Sequence, residues 1–173
     1  MSTSDVRIRE AVAADDAAVG ELLVESFVTR YARKMPDVVV TPHRKDELRD
    51  VASKREIAKV WVAEVVGSGK IVGTVALWPP GAHRSESWIS GAADLRHLAV
   101  DGSQAGKGVS KLLIDAAENF ARAAKWKGVC LHVRRGAHGV RRIYEQRGYV
   151  RREEGDLDFL PEVFLEAFYL ALT

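Results

Sequence analysis

The succession of apolar patterns predicts an α/β fold, a mixed β-sheet with helices on both faces. Three observations carry this. Runs of β-type composition and runs of helical periodicity follow one another as β-α-α-β-β-β-α-β-α-β-β. The strands over 94–100 and 129–133 are joined by a long amphipathic helix, which implies a parallel pair with a right-handed crossover. Leu95 and Leu98 are three apart in one strand and would face opposite sides of a regular pleat. A β-bulge near Arg96–His97 is therefore expected, turning both inward.

Val6 to Arg9 alternates apolar and charged residues, a short first strand. Asp15 or Asp16 is placed to cap the helix that follows, whose inner face is Val19, Leu22, Leu23 and Phe27. Periodicity is lost over 30–41, which holds Tyr31, Met35, Pro36 and the run Val38-Val39-Val40. Thr41-Pro42 opens a second, strongly charged surface helix to about Lys54, with proline at its first position. Lys59–Val66 and Lys70–Trp78 are β-rich runs separated by Gly67-Ser68-Gly69, a hairpin signal. Pro79–Ala92 is a long polar connection containing Trp88, and loops of that length are commonly functional or mobile.

The helix from Gly106 carries Val109, Leu112, Leu113, Ala116, Ala117 and Phe120 on one face and stops before Lys127-Gly128. Val129–Val133 is a fifth strand, followed over 138–147 by a helix with Val140, Ile143 and Tyr144 on one face, ended by Gly148. Tyr149–Glu153 and Val163–Leu172 form a final strand pair across a loop holding Asp156, Asp158 and Pro161.

The 173 residues show no repeat, linker or low-complexity segment, and one domain over 1–173 is expected. An apolar fraction of 47% with 29% charged residues is that of a soluble globule. No apolar run approaches the ~20 residues that span a bilayer, and the N-terminus has no apolar signal core. Cys130 is the one cysteine and sits in an apolar strand pattern, so a buried thiol in a reducing, cytoplasmic compartment is expected. The net charge of +2 gives no nucleic-acid footprint, and Arg141-Arg142 and Arg151-Arg152 read as solvated faces. Neither a membrane nor a nucleic acid is expected as partner, no metal site is expected, and the chain is expected as a monomer or homodimer.

Residues 94–113 run from an apolar strand through a polar loop into a helix, with Gly106 and Gly108 where the helix begins. A helix N-terminus offers unpaired N–H groups and partial positive charge, and glycine lets a phosphate approach the backbone. With Lys107, the stretch reads as a pyrophosphate cradle. A Walker A loop does not fit, because Gly102 and Gly106 have three residues between them and Gly108 follows Lys107. The dinucleotide fingerprint does not fit either, since Lys111 stands where its third glycine belongs.

What fits resembles the acetyl-CoA signature of the GNAT N-acetyltransferase superfamily: Arg or Gln, then x-x-Gly-x-Gly or Ala, after a strand ending in apolar-x-Val. Gly106, Lys107 and Gly108 match, while Ala105 replaces the Arg or Gln and Ser110 the last small residue. A second stretch resembles the same family. Leu131-His132-Val133, then Ile143-Tyr144-Glu145-Gln146-Arg147-Gly148-Tyr149, is similar to its strand, short helix and Leu-Tyr-Glu-x-x-Gly-Phe.

The resemblance implies the GNAT fold: a mostly antiparallel sheet of six to seven strands, with a central parallel pair splayed at the bulge. It also implies direct acetyl transfer from acetyl-CoA to an amine, without an acyl-enzyme. In that reading the backbone of Leu98 and Val100 pairs with the pantetheine arm, and an N–H near Leu98 or Ala99 polarises the thioester carbonyl. Amides of Gly106, Lys107, Gly108, Val109, Ser110 and Lys111 hold the pyrophosphate, beside Ala105. Ala137 stands where many members place an Asn that bonds the pantetheine, a loss worth ~1 kcal/mol. Tyr144 lies at the general-acid position, against the cofactor. His132 stands where many members have a Glu base, and Asp94 and His97 are rivals for accepting the amine proton.

Residues 28–45, 79–92 and 154–164 are expected to set acceptor choice. Glu153, Glu154, Asp156 and Asp158 could attract a cationic amine or be solvated loop charges, and Tyr31, Trp78, Trp88 and Phe159 could line a pocket or pack as core and rim. A CoA-binding module without turnover is the alternative function, favoured by Ala105, Ala137 and the absence of Glu at 132.

Overall fold

The computed structural model describes residues 5–34 and 41–172, apart from the side chains of Tyr31 and Lys34. The sequence features at Met35, Pro36 and Val38–Val40 lie outside the described residues. The chain divides into two compact units, Met1–Leu77 with His97–Ala117 and Trp78–Arg96 with Glu118–Thr173.

In the first unit, strand β1 (Val6–Glu10) pairs antiparallel with β2 (Lys59–Val65), and β2 with β3 (Ile71–Trp78). Gly67 and Gly69, at φ +98° and +74°, make the hairpin turn that glycine alone adopts without strain. Helices α1 (Asp16–Val24) and α2 (Arg30–Lys34) are joined by a π-type turn over Glu25–Thr29. Asp15 does not bond the helix amides. Its carboxylate instead accepts from Val12 N at 2.8 Å and pairs with Arg9, which lowers its pKa. The expected single helix over 42–54 is two, α3 (Pro42–Arg49) and α4 (Val51–Ile57). Asp50, at ψ +64°, breaks the run and accepts from Ser53 N at 3.3 Å, so an internal cap divides what periodicity joined. Val19, Leu22, Leu23, Leu48, Val51, Val62 and Ala99 form this unit's core.

Strand β4 (Ala92–Val100) and helix α5 (Val109–Ala123) each contribute to both units. In the second unit, Ala92–Asp94 pair in parallel with Gly128–Cys130 of β5 (Gly128–Arg134). Parallel pairing ends there, while β5 continues antiparallel along β8 (Val163–Ala171). β8 also carries the short strands β6 (Val150–Arg151) and β7 (Leu157–Phe159), bringing the strands among the described residues to eight. The expected strand Tyr149–Glu153 shrinks to β6, and the loop after it supplies β7. The architecture is the mixed α/β one, antiparallel in every described pairing within the units except β4–β5.

Gly128 does not stop α5; Lys125, at φ +60°, takes the left-handed turn. Gly128 is needed because a Cβ there would lie 2.4 Å from the Tyr169 ring. Helix α6 (His138–Gln146) buries Tyr144 but leaves Val140 and Ile143 exposed, so only one of the three expected face residues is core. Leu95 is buried and Leu98 only partly so. No helix among the described residues is long and apolar enough to cross a membrane, and none of their His, Cys, Asp or Glu clusters could hold a metal.

Candidate active site

In the first unit, Gly102–Gln104 form a 3₁₀ turn, with Asp101 accepting from Ser103 N at 2.9 Å, a bond that lowers the pKa of its carboxyl. Gln104 is buried, a polar side chain that sequence reasoning passed over. Gly106 and Gly108 follow at φ +75° and +79°, where residues with a Cβ are strained. A Cβ on Gly106 would meet nothing within 4 Å, so the loop is open in front of it. The Leu112 N–H closes on the Gly108 carbonyl at 3.2 Å. The amides of Val109, Ser110 and Lys111 precede that first closure and belong to the unpaired first turn of α5. Lys111 pairs with Asp115 at 3.0 Å, Lys107 is partly buried, and Ala105 is exposed.

Upstream, His97 takes φ +60°, a left-handed backbone in a non-glycine residue, at the position where the bulge was expected. Lys54 Nζ donates to its Nδ1 at 3.1 Å, and Phe27 packs against its ring. A lysine ammonium only donates, so the neutral imidazole carries its proton on Nε2. The Val100 carbonyl accepts from Arg30 Nη2 at 2.8 Å, so one acceptor assigned to pantetheine already carries a side chain. Lys54 and Arg30 carried no signal in the sequence that tied them to His97 and Val100.

In the second unit, the β4–β5 register sets Asp94 opposite Cys130, and His132 lies two residues on along the same face. Asp94 is fully buried. Its Oδ2 accepts from Glu86 N at 2.8 Å and lies 3.0 Å from Arg96 Nε. Burial pushes its pKa up, against the opposing pull of Arg96, the Glu86 amide and His132. His132 Nε2 donates to the Gly155 carbonyl at 2.8 Å, which leaves Nδ1 as the acceptor nitrogen. Asp94 Oδ1, His132 Nδ1 and Trp88 Nε1 are all buried without a hydrogen-bond partner.

The 79–91 loop is fastened over this face. Arg96 stacks 3.8 Å from the centroid of Trp78, donates to the Arg84 carbonyl at 2.7 Å and pairs with Glu86. Trp88 meets His132 edge-on at 5.4 Å, and a Cβ on Gly155 would strike it at 2.3 Å. Ser87 donates to the buried Cys130 thiol at 3.3 Å, and burial raises the pKa of that thiol. A pocket of about 310 Å³ is lined by Gly81, Ser85, Ser87, Trp88 and Ile89.

Tyr144 is 4% exposed, and burial pushes its phenol above the ordinary value. Its ring meets Tyr149 edge-on at 5.4 Å. The Tyr149 hydroxyl donates to Glu118 Oε2 at 3.1 Å, and Arg147 donates to both oxygens of Glu118 at 3.0 and 2.9 Å. Glu118 is a buried acid that the sequence reading missed, although it lies four residues after buried Ile114 and three before buried Ala121. Ala137 caps α6 with no side-chain bond. Of the acidic loop residues, Asp156 is committed to Arg151 and Ala167 N, while Glu153, Glu154 and Asp158 are exposed. Phe159 is exposed as well, and the Tyr31 side chain lies outside the described residues.

Comparison with known proteins bears on the whole chain. The sequence profile described as "Acetyltransferase (GNAT) domain" matches residues 56–151. A GNAT-family acetyltransferase from Staphylococcus aureus superposes with a TM-score of 0.74 at 16% identity, over 97% of this chain and 99% of that one. Ard1 from Thermoplasma volcanium gives 0.68 at 20% identity, over 98% and 99%. Spermidine N-acetyltransferase from Vibrio cholerae, in complex with CoA and spermine, gives 0.68 at 18% identity, over 98% and 96%. No curated protein matches. At these identities the structural likeness shows the fold, and the profile, covering more than half of the sequence, shows that the chain belongs to the GNAT acetyltransferase family.

Proposed function

We propose that this chain transfers an acetyl group from acetyl-CoA directly to an amine. The observation that carries the reading is the opening of α5, where two left-handed glycines lead into unpaired amides within a GNAT domain. The amides of Gly106 and of Gly108 to Lys111 would hold the pyrophosphate, while the Lys107 N–H donates to the Gln104 carbonyl at 3.2 Å. An N–H near Leu98 or Ala99 would polarise the thioester carbonyl, and Tyr144 would protonate the departing sulfur. The residues fit acetyl-CoA as co-substrate, since glycine leaves the loop open where a phosphate must approach.

His132 is the proposed base. His97 Nδ1 is occupied by Lys54, and a proton on Nε2 leaves that ring no lone pair for the amine. His132 keeps Nδ1 as acceptor. His132→Ala is expected to lower kcat/KM by ~10²-fold, the low end of what a positioned base contributes. Wild-type kcat/KM in the variant would transfer the role to Asp94 or to water.

An amine acceptor is supported by the Vibrio cholerae neighbour, a spermidine N-acetyltransferase whose structure is a complex with CoA and spermine. Release of CoA thiol is expected with at least one of spermine, spermidine, lysine amide, an Ala-Ala peptide or tyramine. Tight acetyl-CoA binding with no release from any of them would favour a non-catalytic CoA-binding module.

A further inference from the structure

We infer that Tyr149 and Glu118 are positioning residues for Tyr144: together they brace its ring in the orientation from which the hydroxyl acts. The inference rests on the proposed role of Tyr144 as acid. The related motif ends in Phe, which would fill this position with ring and no hydroxyl. Here the residue is Tyr149, and its hydroxyl reaches a carboxylate that is itself buried. A buried carboxylate is costly unless donors saturate it. Glu118 receives three: the Tyr149 hydroxyl and two N–H groups of Arg147.

The chain path tightens the same unit. Gly148, at φ +98°, ends α6 by turning the backbone. The Tyr149 N–H donates back to the Tyr144 carbonyl at 3.1 Å, and the Arg147 N–H to the same carbonyl at 3.0 Å. Tyr149 is thus held at its backbone by Tyr144 and at its far end by Glu118. Between those points its ring lies edge-on to the ring of Tyr144, with centroids 5.4 Å apart and planes at 69°. Rotation of Tyr144 would require Tyr149 to move, and Tyr149 can move only by leaving Glu118 with one donor fewer in a dry site. An acid must be aligned to a few tenths of an ångström, so the brace bears on rate rather than on cofactor affinity.

The test is a double-mutant cycle on the full chain, with acetyl-CoA and the panel amine that gives the fastest CoA release, or water as acceptor. Tyr149→Phe keeps the ring and removes the anchor. It is expected to lower kcat roughly tenfold, less than the ~10²-fold that a misplacement of an ångström can cost, with KM for acetyl-CoA within about twofold. In a Tyr144→Phe background the same change is expected to cost less than about twofold, because the hydroxyl being positioned is gone. Glu118→Gln, which keeps shape and an acceptor oxygen, is expected to show the same non-additivity and serves if Tyr149→Phe does not fold. Wild-type kcat in both Tyr149→Phe and Glu118→Gln, or losses that add fully to that of Tyr144→Phe, would overturn the brace while leaving Tyr144 as the acid. Wild-type kcat in Tyr144→Phe itself, or no turnover with any acceptor, would overturn the acid reading and the brace with it.

Discussion

Gly108→Val is expected to abolish measurable binding of acetyl-CoA, a loss of at least ~10²-fold, while the chain stays folded. Gly108 sits at φ +79°, and a β-branched side chain there is forced out of that region. The cost to the fold is about 1–2 kcal/mol, modest beside the 5–15 kcal/mol typical of a domain. The cost to the ligand is larger, because the shift reorients the unpaired Val109–Lys111 amides that follow it. Two further variants separate strain from obstruction. Gly106→Ala adds a methyl group where nothing lies within 4 Å but at φ +75°, so any loss of binding beyond that of an equal backbone cost elsewhere reports what approaches that space. Gly67→Val imposes a comparable backbone cost at φ +98° in the hairpin turn and is expected to leave acetyl-CoA affinity unchanged. Isothermal calorimetry on the folded variants decides the matter. Wild-type affinity in Gly108→Val would remove the pyrophosphate from this loop.

Backbone turns were legible in the sequence, and tertiary pairing was not. Gly67, Gly69, Gly106, Gly108 and Gly148 all take positive φ, the backbone conformation for which glycine is read. The broken alternation at Leu95 and Leu98 pointed to an irregular β4, and His97 at φ +60° is that irregularity. Asp50 was invisible as a helix break because α3 and α4 keep one continuous charged pattern, and only its capping bond to Ser53 divides them. The partners that discriminate among the candidate bases come from distant segments. Lys54 reaches His97 across 43 residues, and the Gly155 carbonyl reaches His132 across 23. Neither tautomer is readable without those contacts. Glu118 lay within reach of the helical pattern and was missed because a Glu on a helix is ordinarily solvated.

Tyr144→Phe is expected to leave acetyl-CoA affinity within a few fold and to lower turnover by ~10²-fold, the low end of what a positioned acid contributes. The variant removes one oxygen and keeps the ring that packs edge-on against Tyr149, so the fold is expected to persist. The size of the effect follows from the two acids involved. A thiol has a reference pKa of ~8.5 and a phenol ~10, so complete transfer from phenol to thiolate runs uphill by about 2 kcal/mol in water. Burial raises the Tyr144 phenol further, which makes full transfer harder and keeps the proton in place until charge develops on sulfur. The help in the transition state is then that of a strong hydrogen bond in a dry site, with the proton passing to sulfur late. The same shift sets the pH dependence. A phenol raised above its ordinary value stays protonated throughout the neutral range, so wild-type kcat is expected to show no alkaline limb below about pH 10 from this group. Steady-state kcat across pH 6–9.5, with acetyl-CoA affinity measured on the same preparation, checks each point. Wild-type kcat in the variant would leave Tyr144 as packing and move protonation of the sulfur to solvent.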